Sequence, residues 1–241
     1  MTENEPVEPN RGLQFLGQVR KGNVFEETVG QLLRSMRLGV FPPGEKLPAE
    51  RDLAESLGVS RATLRDALAE LQSAGFLSIQ RGRYGGAVVS ASPKTGAEPL
   101  RQTDRPRVED VLVYRSVVEP AAAGLAAAAP LSAEQRQRLM AALASLDSAE
   151  KETYRPLDAR LHIMIADLSG SALLAKAVAE ARDATSELLD RIPFLEPNIE
   201  HSREQHSRIV AAIMAGQPDE ARALMHEHLE GTAALLRGFL N

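Results

Sequence analysis

Residues 47–90 read LPAERDLAESLGVSRATLRDALAELQSAGFLSIQRGRYGGAVVS. A short helix is expected over Ala49–Leu57, ended by Gly58, because glycine follows a helix C-terminus more readily than any residue with a Cβ. Val59 fills the turn. Ser60 stands where an N-cap belongs, its hydroxyl free to accept a backbone N–H of the next turn. A second helix is expected from Arg61 to about Ala74, closed by Gly75. Its apolar positions, Leu64, Ala67, Leu68, Leu71 and Ala74, recur with the helical period. Leu77–Gln80 and Ala87–Ser90 read as short strands around the Gly-rich, basic tip RGRYGG (81–86). A pair of surface helices with an ordinary hairpin would use the same residue types. The order helix, tight turn, Arg-bearing helix and basic wing favours a winged helix-turn-helix.

That geometry suits DNA. A helix fits the major groove and meets base edges with its N-terminal residues. Arginine offers two donors to guanine O6 and N7. Arg61 and Arg65 are one turn apart, so both can face one groove. With Phe25–Leu38 as a leading helix, PPGEKLPAERDLAESLGVSRATLRDALAELQSAGFL (42–77) and the wing from Ile79 to Val89, this region resembles the GntR family of bacterial transcription regulators. The resemblance implies operator contacts from Arg51, Arg61 and Arg65, with Ser60, Thr63 and the wing glycine Gly82 also at the DNA. Ala62 is small where some relatives carry a polar residue, so one contact is expected to be missing.

The 241 residues suffice for two modest domains. Hydrophobic residues make up 44% and aromatics only 4%, which favours closely packed helices. The chain has no cysteine, so disulfides and thiolate metal sites are excluded. No stretch qualifies as a signal peptide. The apolar run Val117–Leu131 is interrupted by Glu119, Pro120 and Pro130 and is not expected to span a membrane, so a soluble cytoplasmic protein is expected. The net charge of −5 is divided: residues 1–107 hold 15 Lys+Arg and 13 Asp+Glu, a balance of +2, leaving −7 for the remainder. The DNA-reading end is the basic one.

Outward from the winged helix-turn-helix (21–90), residues 1–20 are polar and read as a disordered arm. Val24, Thr28, Leu32 and Met36 fall in helical spacing over 24–38. Three prolines forbid a helix over FPPGEKLP (41–48), and Gly44–Leu47 is expected as a short strand against the wing. ASPKTGAEPLRQTDRPR (91–107) reads as a linker. Beyond it, helices are expected over 108–128, 132–147, 151–168, 171–192, 199–215 and 218–240, punctuated by Pro130, Ser169-Gly170, Pro193, Pro197, Gly216 and Pro218. Short breaks imply antiparallel neighbours. The expected fold is therefore mostly α, an N-terminal winged helix-turn-helix joined to an all-α antiparallel bundle over 108–241.

All five histidines lie between 162 and 228. Asp158 and His162 are i and i+4 on one helix, so their side chains meet. His206 lies on a stripe with Ile199, Ile209, Val210 and Ile213, and His228 on one with Ala221, Leu224, Met225, Leu235 and Phe239. His226 and His201 fall on polar faces, the latter among Glu204, Gln205 and Arg208. One inward histidine is usually a hydrogen-bonded core residue. Three on separate helices, with an aspartate, point to a divalent metal, zinc first and nickel next by ligand type.

LDARLHIMIADLSGS (157–171), EQHSRIVAAIMAG (204–216) and ARALMHEHL (221–229) resemble the FCD ligand-binding domain of FadR-like GntR regulators. In metal-binding members the resemblance implies ligands at Asp158, His162, His206 and His228. Arg115 shares an inner stripe with Val111, Leu112, Val118 and Ala122. It reads equally as a partner of Glu119 one turn on or as a bidentate captor of a ligand carboxylate. The resemblance implies a role there in binding a small organic acid effector. Tyr154, Arg155 and Arg191 are weaker candidates. The expected function is a homodimeric regulator, a repressor, on a pseudo-palindromic operator. An enzymatic metal centre and a purely structural metal without effector are the alternatives. No general base or nucleophile is placed by motif beside the site, which argues against an enzyme.

Overall fold

The computed structural model describes residues 13, 16–19, 22–80, 86–90 and 105–240, and the chain divides into two compact units, 1–96 and 97–241. In the first unit α1 spans Val24–Arg37, α2 Glu50–Leu57 and α3 Arg61–Ser73, followed by antiparallel strands β1, Leu77–Gln80, and β2, Gly86–Val89. Leu77 pairs with Val89 and Gln80 with Gly86. The 44–47 segment joins the wing: Gly44 N–H donates to Val89 O and Leu47 N–H to Ala87 O, both at 2.8 Å. The core is aliphatic. Leu32, Leu53, Leu57, Leu64 and Leu71 are fully buried, each contributing ~2 kcal/mol by removal from water.

Two boundaries near this unit differ from the sequence reading. The arm expected over 1–20 lies mostly outside the described residues, but its described part is docked. Ser56 Oγ donates to Leu13 O at 2.9 Å, and Val19 N–H donates to Leu57 O at 3.0 Å, which ties Leu13 and Val19 to α2. The linker expected over 91–107 falls outside the described residues up to 104. Its last three residues open the next helix. Pro106 does not prevent this, since a first-turn proline lacks only an N–H that has no intrahelical partner.

The second unit is a bundle of α4 (Arg105–Ala128), α5 (Ala133–Asp147), α6 (Lys151–Leu168), α7 (Ala172–Leu189), α8 (Glu196–Met214) and α9 (Pro218–Leu240), with no strand among its described residues. Ser132 and Gln135 form a reciprocal capping box on α5, and Ser171 caps α7. α8 begins three residues before the expected start, because Pro197 sits within its first turn. α4 is the long central helix, packed on α6, α7, α8 and α9. By length and composition it could cross a membrane, but most of it is buried in the bundle. Ala122, Ala123, Ala126 and Ala127 give it close approach to its neighbours, and Arg115 and Glu119 are buried at its middle.

Candidate DNA-reading face and candidate metal centre

The turn between α2 and α3 is built as its residues dictate. Gly58 adopts φ +70°, the left-handed region that disfavours side chains. Ser60 Oγ accepts the Thr63 N–H at 3.0 Å and lies 2.9 Å from Thr63 Oγ1. Thus two residues expected at the DNA also fix the start of the reading helix. Arg51, Arg61 and Arg65 are exposed. Arg51 Nε pairs with Asp52 at 3.0 Å, and Arg65 Nε with Glu50 at 2.7 Å. Exposed pairs contribute only ~0–1 kcal/mol, so these guanidinium groups exchange partners readily. The first turn of α3 carries no acidic residue, which leaves its positive end open to an anion. Gly82 lies outside the described residues.

In the second unit, α6 supplies Asp158 and His162, α8 supplies His206 and α9 supplies His228. One ligand atom from each lies within 4.8 Å of all the others, and all four residues are buried. His162 Nε2 is 3.2 Å from His206 Nε2 and 3.7 Å from Asp158 Oδ1; His206 Nε2 is 3.2 Å from the same Oδ1. Donors ~2.1 Å from one ion stand ~3.0–3.4 Å apart across right or tetrahedral angles. Two of the three spacings fall in that range, and the donor set is one that could hold a metal ion.

A second layer orients these donors. His162 Nδ1 meets Glu119 Oε2, and His228 Nδ1–H donates to Gln205 Oε1 at 2.9 Å. Arg182 donates to Asp158 Oδ2, leaving Oδ1 turned to the histidines. His206 Nδ1 is buried and has no hydrogen-bond partner among the described residues. Burial, reinforced by Arg182, lowers the His162 imidazole to about 4 against the pull of Glu119. It is therefore neutral near pH 7, the form that offers a lone pair. Burial alone would raise Asp158, but Arg182 and the facing histidines hold it well below the usual carboxylate range.

Sequence reading missed Arg182 and placed Gln205 among solvent-facing neighbours. The signal for Arg182 was present: it lies in helical spacing with Val178, Ala181, Thr185 and Leu188, all buried on α7. His226 is exposed and His201 half-buried. Beside the four donors is a cavity of about 40 Å³ bordered by Tyr154, Asp158, Arg182, Asn198, Ser202 and His228. Arg155 also borders it; Arg191 does not. Arg115 is turned elsewhere. Its Nε donates to Glu119 Oε1 at 2.7 Å, its Nη1 is buried without a hydrogen-bond partner among the described residues, and it borders a different cavity, with Ser116 and Arg237.

Residues 25–88 match the family model described as bacterial regulatory proteins, gntR family, and residues 110–231 match that of the FCD domain. A putative HTH-type transcriptional regulator RmpR of Mycobacterium gastri is 32% identical over 83% of this chain and 76% of its own length. A putative L-lactate dehydrogenase operon regulatory protein of Escherichia coli is 32% identical over 81% of this chain and 80% of its own. The HTH-type regulator LutR of Bacillus subtilis is 28% identical over 83% and 95%. These relatives and families are transcriptional regulators rather than enzymes, which removes the enzymatic alternative. With a winged helix-turn-helix followed by an all-helical ligand-binding domain, the chain belongs to the GntR family as a DNA-binding regulator carrying an FCD domain.

Proposed function

We propose that the chain is a cytoplasmic, homodimeric repressor whose operator binding is set by a metal and a small carboxylate in the helical unit. Arg51, Arg61 and Arg65, with Ser60, Thr63 and Gly82, contact a pseudo-palindromic operator. Asp158, His162, His206 and His228 hold one divalent ion, zinc by preference or nickel. Bound there, such an ion supplies Lewis acidity toward a carboxylate oxygen. The observation that carries the reading is the convergence of four buried donors from three helices on one point. A carboxylate effector has two guanidinium groups at the cavity wall to meet it, Arg155 and Arg182, the latter paired with Asp158. The E. coli relative is named for an L-lactate dehydrogenase operon, so 2-hydroxy acids are the first class to test. The cavity holds about a water or two as it stands. A larger acid needs its walls to part, and the half-exposed Arg155–Asp190 pair beside it is easily released.

Dimerisation is supported by α4. Val113, Tyr114 and Val117 leave one side of it 59%, 39% and 65% exposed, an apolar face suited to a second copy of the chain. Val117→Glu is expected to yield monomers in sedimentation and to weaken operator binding. The test of function is operator titration of zinc-loaded protein against a panel of 2-hydroxy, keto and dicarboxylic acids. One acid is expected to weaken affinity by roughly 5–150-fold, the usual scale of such coupling. If none does, while chelation still lowers the melting temperature, the ion is structural and the effector half of the reading fails.

A further inference from the structure

Glu119 supplies no donor to the four-residue cluster, yet it is buried at the middle of α4, its side chain 1% exposed. Its two oxygens are divided. Oε1 accepts from Arg115 Nε at 2.7 Å, and Oε2 meets His162 Nδ1. A buried carboxylate is costly unless both oxygens are satisfied, so neither partner is incidental. A carboxylate on Nδ1 requires the proton to sit on that nitrogen. The lone pair is then left on Nε2, which faces His206 Nε2 at 3.2 Å and Asp158 Oδ1 at 3.7 Å. The opposite tautomer would place a proton where an ion must bind.

The three histidines are supported unequally. His162 has an anionic acceptor, His228 has the neutral Gln205 amide at 2.9 Å, and His206 Nδ1 has none among the described residues. An anionic acceptor makes an imidazole a stronger ligand than a neutral one does. Of the acceptors behind the three histidines, Glu119 is therefore the one that strengthens its ligand most. Arg115 is explained by the same arrangement: its guanidinium, also 1% exposed, holds the carboxylate in register with His162.

We infer that Glu119 is a positioning residue of the metal site, held by Arg115 so that its carboxylate fixes His162 as the tautomer presenting Nε2 to the ion. The inference rests on the metal reading above. It ties α4, which contributes no ligand, to the occupancy of a site built on α6, α8 and α9.

The test is Zn²⁺ affinity of the full-length protein, measured by competition with a chromophoric chelator, for wild type, Glu119→Gln and Arg115→Met. Glu119→Gln keeps the shape and an acceptor oxygen but removes the charge. It is expected to weaken Zn²⁺ binding by about 10–100-fold and to alter the visible absorption of the Co²⁺-loaded protein. Arg115→Met is expected to weaken Zn²⁺ binding less. A folded Glu119→Gln protein that binds Zn²⁺ as tightly as wild type, with an unchanged Co²⁺ spectrum, overturns the inference and leaves the metal reading intact. Wild type that binds no Zn²⁺ overturns both. Nitrogen-15 spectra of histidine-labelled, metal-free wild type decide the matter without any variant. His162 protonated on Nδ1 supports the assignment, and His162 protonated on Nε2 contradicts it.

Discussion

Arg51, Arg61 and Arg65 stand in solvent on α2 and α3, and the exposed pairs of Arg51 with Asp52 and of Arg65 with Glu50 are exchanged at small cost. Asp158, His162, His206 and His228 stand in the interior of the second unit, bound to one another and to a further layer of Glu119, Arg182 and Gln205. The difference follows from what each region must meet. A DNA duplex arrives from outside with its own charge and counterions, so the reading groups must be hydrated and independent until contact. An ion of ~2 Å bond length tolerates little error, so its ligands must be fixed beforehand by packing and outer hydrogen bonds. One region can be altered a residue at a time, whereas in the other each change leaves a buried partner exposed to its own field.

The contrast is open to breakage at several points. The largest effect is expected at Asp158. Asp158→Ala leaves the Arg182 guanidinium buried without its carboxylate, a loss of about 3–5 kcal/mol when one partner of a buried pair is removed. Urea unfolding of the metal-free protein measures it, and an unchanged midpoint would show that the interior groups are not coupled as described. Next comes Arg65→Ala. It should reduce operator affinity by ~1–3 kcal/mol and relax base preference at one position, while the melting temperature stays put. Ser60→Ala removes the cap of α3 and should lower stability by ~1 kcal/mol, read by denaturant titration. The smallest effect belongs to Arg51→Ala, at a residue whose side chain is 81% exposed. Stability should change by less than ~0.5 kcal/mol, and the salt dependence of operator binding should fall by about one phosphate contact. A large stability loss at Arg51 or Arg65 would erase the distinction between the two regions.

The helices were legible because their ends carry local signals. Gly58 beyond α2 and Ser60, Ser132 and Ser171 before α3, α5 and α7 act through their own backbone or hydroxyl, with no help from distant residues. The starts of α4 and α8 were misplaced for one reason: proline reads as a break, yet it is tolerated within a first turn, as at Pro106 and Pro197. The donor cluster was legible because Asp158 and His162 share a helix face and the other two histidines interrupt apolar stripes. Its outer layer was less so. Glu119 was visible only as a neighbour of Arg115 on α4, since its link to His162 joins residues 43 apart in sequence. Gln205 sits beside Glu204 and near Arg208, and only the turn of α8 against α9 brings it inside. Local chemistry thus wrote the elements into the sequence, while contacts between helices remained to be seen in space.

The most direct test of the central claim is the metal content of the purified protein, taken with Asp158→Ala and His206→Ala. About one divalent ion per chain in wild type, absent from both variants while the winged helix-turn-helix still binds DNA, is the expected result. No ion in wild type after loading with zinc or nickel would contradict the claim and return the helical unit to a bundle whose buried histidines serve its packing alone.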